Sequence, residues 1–347
     1  MVTIKQIAEL CGVSRGTVDR VINKRGKVKP EKEQLILETM RKLNYSPNPA
    51  GKALAARKKQ PVVGVLMPSI GVHFFDDVIS SMQNAARRYA SYGLKIIWRS
   101  MRGFDEMEQC QLIDELAPQV QALIINPVNG QVVLERLNAL AAEGLCIITL
   151  NNDLPGLRRH CYVGTDFFSG GRTAGALLQM IGARELHIGI LLGSHKMLSH
   201  QRRLDGFREA LEMRFAKGAP GSWEILSVQE TEDDDIIAYE EVKNLLQEHP
   251  ETNAIFVISS GASYGAARAV QAAGRAGSIT MVVFDTIPST IRMMQAGVIQ
   301  AALYQHPHEQ GRRAMQVAFE YLVNGAQPEK DSYIMRNEIR IPENAEE

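Results

Sequence analysis

Residues 3–23 read TIKQIAELCGVSRGTVDRVIN, and they predict a complete structural unit. Thr3 and Gln6 have the spacing of a capping box, which indicates that a helix begins there. Gly12 lies in a short break, and Ser14 can cap a second helix through its hydroxyl. Two short helices joined by a tight, glycine-bearing turn form a helix-turn-helix, a unit whose second helix fits the major groove of DNA.

The predicted second helix has an apolar face, which packs on the first helix, and a polar face that is left outward. An ordinary helical pair with two solvated arginines is the alternative interpretation. If the unit reads DNA, Arg15 is suited to a base and Arg20 to the backbone. The candidate DNA-binding residues in this stretch are Thr3, Ser14, Arg15, Gly16, Thr17, Arg20 and Asn23.

Charge is divided unevenly along the 347-residue chain, although the formal net charge is zero. Residues 1–60 contain 14 Lys and Arg against 5 Asp and Glu, an excess of +9, so the remainder carries −9. A basic segment joined to an acidic body is typical of a nucleic-acid-binding module attached to another domain. The charge distribution therefore supports the interpretation of the first 23 residues.

A third helix and a hinge follow the basic loop at residues 24–27. Pro30 suits the first turn of a helix, and the sequence before Pro47 ends it. Asn48 and Pro49 then begin a short helix of small residues whose bulky member is Leu54. Such a short helix is marginal in water, so we expect it to order on DNA; a plain linker is the alternative.

Two motifs in this region resemble the headpiece and hinge of lac-repressor-type (LacI/GalR family) regulators. Residues 13–23 read VSRGTVDRVIN, where the family has V-S-x-x-T-V-S-R-V-x-N, and residues 43–48 read LNYSPN, where it has L-N-Y-x-P-N. The resemblance implies a double-stranded DNA operator and a hinge helix whose Leu54 wedges into a minor-groove step. Asp19 departs from the usual serine, and its carboxylate repels phosphate.

From residue 61 onward, short apolar runs alternate with amphipathic helices, a pattern typical of parallel sheets buried on both faces. Two such series in succession predict an α/β body of two doubly wound lobes. The predicted domains are a headpiece at 1–46, a hinge at 47–60 and a body at 61–347. Within the body, lobe 1 comprises about 61–163 and 306–332, and lobe 2 about 164–305 and 333–343.

Polar and aromatic residues follow several of the predicted strands, where open parallel sheets bind ligands. Phe74 and Phe75 offer apolar ring faces, and Asp285 suits paired hydroxyls. Each residue alone is more often a turn or core residue, but their repeated position at strand ends favours a common site. The candidate effector-binding residues are Phe74, Phe75, Asn126, Asn151, Asp153, Gln201, Arg202, Ser259, Asp285 and Gln305.

The body resembles periplasmic sugar-binding proteins (the type 1 periplasmic-binding-protein fold), most closely the ribose-binding type, in these strand-end motifs. Four residues depart from that group: Asn151 and Asn152 replace an Asp-Arg pair, Gln201 occupies the place of a ligand-clamping arginine, and Ser259 replaces an asparagine. Arg202 is a candidate substitute. The resemblance with these departures predicts a small, neutral or weakly polar polyhydroxylated effector held by amide hydrogen bonds, and poor binding of ribose.

A serine hydrolase is one alternative, because residues 261–265 read GASYG and match the G-x-S-x-G nucleophile elbow, with Asp285 and His306 downstream. An elbow serine sits on the turn at the strand's end, whereas here the apolar run stops at Ile258, so Ser263 fits the motif poorly. A cytoplasmic sugar-binding protein of transport type without DNA function is the other alternative. No cofactor or metal is predicted: the four cysteines have no paired metal-ligand spacing, and His306 and His308 could suggest a metal but have no third partner.

The N-terminus has no apolar secretion segment, and no uncharged run is long enough to span a membrane. We therefore expect a cytoplasmic, nucleoid-associated protein with no membrane partner. Two-fold pairing would double the base contacts of a small headpiece, so a homodimer is expected. The sequence thus predicts a ligand-responsive DNA-binding transcription regulator that is not an enzyme.

Overall fold

The computed structural model describes residues 2–22, 28–43, 45, 49–216, 218 and 221–345. Three helices form the headpiece, α1 (Ile4–Leu10), α2 (Arg15–Ile22) and α3 (Pro30–Lys42), and a fourth, α4 (Pro49–Lys59), occupies the predicted hinge. The candidate DNA contact Asn23, the basic loop 24–27 and the predicted cap Asn48 lie outside the described residues.

Local capping determines where the headpiece helices begin. The Thr3 amide donates to Gln6 Oε1 at 2.9 Å, and the Gln6 amide donates back to Thr3 Oγ1 at 3.3 Å, so the predicted capping box is confirmed. Ser14 Oγ accepts from the Thr17 amide at 3.1 Å and starts α2. The apolar faces of the three helices then close on one another around a small core, whose buried members are Ile7, Ala8, Cys11, Val18, Val21 and Ile36.

The first body sheet belongs to lobe 1 and is parallel throughout, in the order β11-β5-β4-β3-β1-β2. Its central strands are buried Val, Ile and Leu runs, as the apolar pattern predicts. The strands are β1 (Val62–Met67), β2 (Lys95–Ser100), β3 (Ala122–Ile125), β4 (Cys146–Leu150), β5 (Cys161–Thr165) and β11 (Ser332–Met335), and its helices are α5 (Phe74–Tyr89), α6 (Glu106–Leu116), α7 (Gln131–Ala142) and α13 (Pro307–Phe319).

The second sheet belongs to lobe 2, in the order β12-β10-β9-β8-β6-β7, with only β12 antiparallel to its neighbour. The predicted α/β architecture of two doubly wound lobes is therefore confirmed. Its strands are β6 (Glu185–Leu192), β7 (Ser222–Glu230), β8 (Ala254–Val257), β9 (Thr280–Phe284), β10 (Ala301–Tyr304) and β12 (Glu338–Arg340), and its helices are α8 (Phe167–Ile181), α9 (Leu198–Ala216), α10 (Asp235–Glu248), α11 (Ser263–Ala272) and α12 (Pro288–Gln295).

The structure moves two predicted lobe boundaries. The sequence predicts that the first lobe 1 segment ends at about residue 163, but β5 pairs with β11 as far as Thr165. The sequence interpretation ended lobe 1 at residue 332, but β11 pairs with β5 from Ser332 to Met335, so the chain enters lobe 2 only at Glu338. The strands on either side are four and three residues long and partly exposed, so they leave no apolar run in the sequence. The lobes are joined by three chain crossings, which follow β5, β10 and β11.

The hinge helix is held against lobe 1 at its C-terminal end. Arg57 Nε donates to the carbonyl oxygen of Ser91 at 2.8 Å, and Ala56 is buried, whereas Leu54 is 62% exposed. Gly93 permits this approach: it has φ +78°, and a Cβ there would lie 3.0 Å from Arg57 Cγ and 3.2 Å from Arg57 Cα. The turn between α5 and β2 therefore fixes one end of the helix that carries Leu54.

We expect Gly93→Ala to loosen the hinge helix, because the new methyl group crowds Arg57. Gly144→Ala is a matched control: Gly144 also has positive φ (+99°), but a Cβ there meets nothing within 4 Å. Both variants should lose about 1–2 kcal/mol to left-handed strain. Only Gly93→Ala should accelerate trypsin cleavage of the native protein after residues 57–59, as followed by mass spectrometry. Equal cleavage rates in the two variants would contradict the proposed contact.

Candidate effector site and DNA-reading surface

The carboxyl ends of strands from both sheets meet at a cleft between the lobes. Seven sequence-predicted residues line it, and they come from six different strand-end segments. Lobe 1 contributes the start of α5 and the residues after β3 and β4, while lobe 2 contributes the residues after β8, β9 and β10. The seven residues are Phe74, Phe75, Asn126, Asn151, Ser259, Asp285 and Gln305.

A buried arginine, Arg203, lies at the lobe 2 side of this cleft and is only 3% exposed. One terminal nitrogen donates to the Ile258 carbonyl at 3.0 Å, and the other donates to Gln305 Oε1. The guanidinium also lies 3.9 Å from the centroid of the Phe284 ring. Gln305 Nε2 in turn donates to Asp285 Oδ2 at 2.7 Å. These contacts fix an arginine, an amide and a carboxyl as one network.

Arg203 corrects the sequence interpretation of Gln201 and Arg202. Successive residues of an α-helix are about 100° apart, so only one of these three adjacent side chains in α9 reaches the cleft. Gln201 is exposed and donates to the His195 carbonyl, and Arg202 is exposed with its ion pair to Asp205 at 3.6 Å. The arginine that faces the cleft is therefore Arg203, and neither Gln201 nor its candidate substitute Arg202 takes that place.

Asp153 also lies away from the lining of the cleft. Both of its carboxylate oxygens accept hydrogen bonds from Arg159, at 2.8 to 3.0 Å, and Oδ1 accepts from Thr149 Oγ1 at 2.8 Å. Arg159 also donates to the carbonyl of Asp331, just before β11, at 2.7 Å. Asp153 thus satisfies a partly buried arginine that ties the β4–β5 loop to the end of the chain.

Backbone strain marks the cleft. Three residues that line it, Asn151, Asp233 and Asp285, have φ values of +59°, +56° and +64°, in the left-handed region that side chains other than glycine rarely adopt. Burial raises the pKa of Asp285 to about 7 and that of Asp233 to about 6. Strained and desolvated carboxyls of this kind persist where the surrounding structure holds them, and they cluster at functional sites.

Unpaired polar atoms are concentrated in the same place. The described part of the chain has nine buried side-chain nitrogen or oxygen atoms without a hydrogen-bond partner, and five of them belong to residues that line the cleft. Buried polar groups in proteins are nearly always paired, so these five are the atoms that a polar ligand would satisfy. They are Asn126 Oδ1, Arg203 Nε and Asp285 Oδ1, together with Asp233 Oδ1 and Ser259 Oγ, which lie beside each other so that the Ser259 hydroxyl lowers the pKa of the Asp233 carboxyl.

The two lobes also touch directly at the edge of the cleft. The first amides of α9, at Leu198 and Ser199, donate to Asn129 Oδ1 at 2.7 Å and to Asn152 Oδ1 at 2.9 Å, and both asparagines follow lobe 1 strands. The Asn129 amide donates to the Lys196 carbonyl at 2.8 Å. We call these contacts the interlobe clasp. The N-terminus of a lobe 2 helix is thus capped by lobe 1 side chains.

The residues of the hydrolase motif do not come together at the cleft. Ser263 is fully buried in the first turn of α11, where its Oγ donates to the Ser259 carbonyl at 3.3 Å, and it is absent from the lining. His306 contacts Glu338 at 3.6 Å and has φ +56°. His200, which does line the cleft, accepts from the Ser194 amide, and burial lowers its pKa to about 3. Among the described residues, no group of three or more His, Cys, Asp or Glu side chains forms a potential metal site.

The predicted DNA-reading residues at the start of α2 lie on the outer surface of the headpiece. Arg15 and Gly16 are exposed at the start of α2, and the Arg20 side chain donates through Nε to the Gly16 carbonyl at 3.2 Å. Thr17 is half-buried, and its Oγ1 lies 3.0 Å from Ser14 Oγ. The first turn of α2 therefore presents one long cationic side chain, that of Arg15, without a contact to its own helix. No described helix is both long and apolar enough to cross a bilayer.

Comparison with known proteins identifies both parts of the chain. Residues 63–327 match the model of the periplasmic binding protein domain, and residues 3–48 match that of the lacI family of bacterial regulatory proteins. The chain is 26% identical to the ribose operon repressor of Halalkalibacterium halodurans (83% of this chain, 81% of that protein) and 26% identical to catabolite control protein A of Priestia megaterium (86% and 87%). It is 24% identical to the D-ribose/D-allose-binding protein of Pseudomonas aeruginosa (82% and 88%).

Solved structures support the fold of the body. The glucose-galactose binding protein from Geobacillus stearothermophilus superposes with a TM-score of 0.73 at 24% identity, covering 82% of this chain and 98% of that chain. A solute-binding protein from Bacillus halodurans with bound myo-inositol gives a TM-score of 0.73 at 21% identity, over 82% and 96%. The relatives named here are regulators and binding proteins. The chain belongs to the periplasmic binding protein domain family, and its helix-turn-helix headpiece is that of the lacI family of bacterial regulatory proteins.

Proposed function

We propose that this protein is an effector-controlled transcription regulator that acts as a homodimer on a double-stranded DNA operator. The effector is a sugar or a related polyol bound in the interlobe cleft, and the site of action is the cytoplasmic nucleoid. The observation that carries the proposal is the set of five unpaired polar atoms in a cleft of the same chain that presents Arg15 on a helix-turn-helix. Such a regulator has two ligands, a small molecule bound by the body and DNA bound by the headpiece.

Effector binding would favour the closed arrangement of the lobes. Arg203 and Asp285 belong to lobe 2, whereas Asn126, Phe74 and Phe75 belong to lobe 1, so one molecule that contacts both sets is bound best when the lobes are together. Separation of the lobes at this edge would break the interlobe clasp. The effector therefore shifts the population toward the closed form by its differential affinity for the two forms.

A continuous set of contacts leads from the cleft to the hinge. Helix α13 begins next to the cleft, where Gln310 Nε2 donates to the Gln305 carbonyl at 2.8 Å. It ends at Phe319, whose ring stacks on Tyr89 with centroids 3.8 Å apart. Tyr89 ends α5, and the turn after it contains Ser91, whose carbonyl accepts the hydrogen bond from Arg57 of the hinge helix. We infer that rotation of lobe 1 moves the two Leu54 side chains of a dimer together or apart, which changes DNA affinity.

The proposal differs from two alternatives, a hydrolase and a transport-type sugar-binding protein. One experiment distinguishes the three. Operators are selected from random duplex DNA with the full chain, and fluorescence anisotropy then measures affinity with and without each compound that raises the melting temperature. We expect specific binding that changes with the bound compound. A protein that binds sugars but selects no DNA would be the transport type, and labelling of Ser263 by a serine-reactive phosphonate would favour a hydrolase.

Arg15→Ala should relax sequence specificity on the selected operator. An arginine that donates two hydrogen bonds to guanine contributes about 1–3 kcal/mol of discrimination against another base. Arg20→Ala is the matched control, because Arg20 contacts its own helix at Gly16 and is expected to serve the backbone. Anisotropy titrations on the operator and on single-base variants check this. Equal losses on all sequences in Arg15→Ala would place Arg15 among the phosphate contacts instead.

Asp285→Asn should weaken effector binding by one to two decades. The exchange keeps the shape of the side chain but replaces an acceptor by an NH₂ donor at the position that faces a ligand hydroxyl, and an unmade buried hydrogen bond costs about 1–3 kcal/mol. Calorimetric titration with the compound that stabilises the wild type most provides the measurement. Asp205→Asn, an exposed carboxylate on α9, is the control with the same charge change. Unchanged affinity in Asp285→Asn would mean that Asp285 does not contact the effector.

Asp285 should contribute a stability to the ligand-free protein that falls as the pH rises from about 4 to about 7, whereas buried His200, with a pKa of about 3, contributes in the opposite direction up to about pH 6.5. Burial raises the pKa of Asp285 from 3.8 to about 7, so this group binds more protons in the folded protein than in the unfolded chain across this window. Asp233, with a pKa of about 6, contributes to the lower part. The free energy of unfolding, measured by urea titration at several pH values, should therefore fall less steeply with pH above pH 6 in Asp285→Asn than in wild type. The same slope as wild type would show that another group holds the proton.

A further inference from the structure

Two carboxyl groups line the cleft, against one permanently cationic side chain among the described residues of the lining. Asp233 and Asp285 both line it, but Arg203 is the one arginine or lysine among the described residues of the lining. The terminal nitrogens of Arg203 donate to the Ile258 carbonyl and to the Gln305 amide, not to either carboxylate. A desolvated carboxyl takes up a proton, as the raised pKa of both acids indicates, or it ionises where a cation is supplied, so a cationic group on a ligand has a carboxyl to bind here.

The position of Asp233 is built into the fold by two glycines. A Cβ at Gly193 would lie 2.4 Å from Asp233 Oδ1, and a Cβ at Gly261 would lie 2.7 Å from Asp233 Cβ. Asp233 itself has φ +56°, which is unfavourable for a residue with a side chain. Backbone strain and two close glycine contacts hold this carboxyl at the wall of the cleft, beside β6 and the start of α11.

Most of the unpaired atoms of the cleft are hydrogen-bond acceptors, so a ligand that binds them must supply mainly donors. Asn126 Oδ1 can only accept, Asp233 Oδ1 and Asp285 Oδ1 can only accept when their carboxyls are ionised, Arg203 Nε can only donate, and Ser259 Oγ can do both. Asp285, Asn126 and Ser259 are at most 4% exposed. A neutral hydroxyl brings one donor with two acceptor lone pairs, whereas a protonated amine brings three donors and no acceptor. An ammonium group therefore supplies the donors for those acceptor atoms of the cleft that hydroxyl groups alone would leave unpaired.

We propose that the effector is a polyhydroxylated molecule with one protonated amino group, an amino sugar or amino polyol, and that Asp233 is the specificity-determining residue that binds the ammonium. This inference rests on the proposed function and adds the charge of the ligand to it. Asp233 provides the counter-charge, Ser259 Oγ accepts a second ammonium hydrogen bond, and the hydroxyls of the same molecule reach Asp285, Asn126 and Arg203. The expectation of a neutral effector recognised by amides alone is replaced, because Arg203 and Asp233 make the cleft ionic.

The test uses matched pairs of compounds that differ only in the amine. Thermal-shift and calorimetric titrations of the full chain compare hexosamines, amino-deoxyalditols and amino-deoxyinositols with their neutral hydroxyl parents and with their N-acetyl derivatives. A hydrogen bond to a charged group is worth about one to two decades of affinity, so we expect one amine to bind at least tenfold more tightly than its parent and its N-acetyl form.

Asp233→Asn keeps the shape of the side chain and removes its charge. We expect the preference for the amine over its neutral parent, measured within the same variant so that a general loss of affinity cancels, to fall to about twofold or less. Asp205→Asn, an exposed carboxylate on the same lobe, is the control and should keep the full preference. Ser259→Ala, checked by circular dichroism like the others, tests the same subsite if Asp233→Asn folds poorly, and it should reduce the preference several-fold.

The outcomes separate the inference from the proposed function. Neutral sugars or polyols that bind as tightly as their amines would overturn the amino effector and leave the regulator intact. An amine preference that survives both Asp233→Asn and Ser259→Ala would overturn the assignment of Asp233. If no neutral or amino compound of the panel stabilised the protein, the sugar-sensing function would fail together with the inference.

Discussion

The buried charge of Arg203 is the constraint on which the cleft depends. A guanidinium that is 3% exposed is tolerated only where its donors are satisfied and its charge is balanced. Lobe 2 supplies a carbonyl at Ile258, the Phe284 ring face and the Gln305 amide, which in turn fixes Asp285. The same requirement explains why three strands end in polar residues at one point, since each of them completes part of the environment of this one side chain.

Ligand recognition and lobe closure are linked because they use one helix. Arg203 lies in the second turn of α9, and the first turn of that helix is capped from lobe 1 by Asn129 and Asn152. Helix termini leave their first amides unsatisfied, so opening the lobes exposes the amides of Leu198 and Ser199 to water. The residue that faces the ligand and the amides that bind lobe 1 are thus less than two turns apart on one helix.

Much of this arrangement follows from local rules that the sequence displays. The capping box at Thr3, the apolar runs and the polar residues at strand ends predict the headpiece, both sheets and seven residues of the cleft lining. The missed features depend on tertiary contacts. A one-residue offset along a helix turns a side chain by about 100°, so sequence spacing did not separate Arg203 from Arg202. The edge strand β7 is half-exposed, and its weak pattern hid the segment that leads to Asp233.

Asp233 shows why a resemblance in motifs is insufficient to define a ligand. The residues that carry the resemblance, such as Phe74, Asn126 and Asp285, supply apolar faces and hydrogen bonds that many polyols can use. Asp233 lies outside those motifs and is placed by contacts with Gly193 and Gly261, which are 40 and 28 residues away in the chain. Its strained backbone is tolerated only because the fold holds it there. The residues that set the charge of the pocket are therefore determined by packing between distant segments, and the chemistry of the effector must be inferred from the assembled cleft.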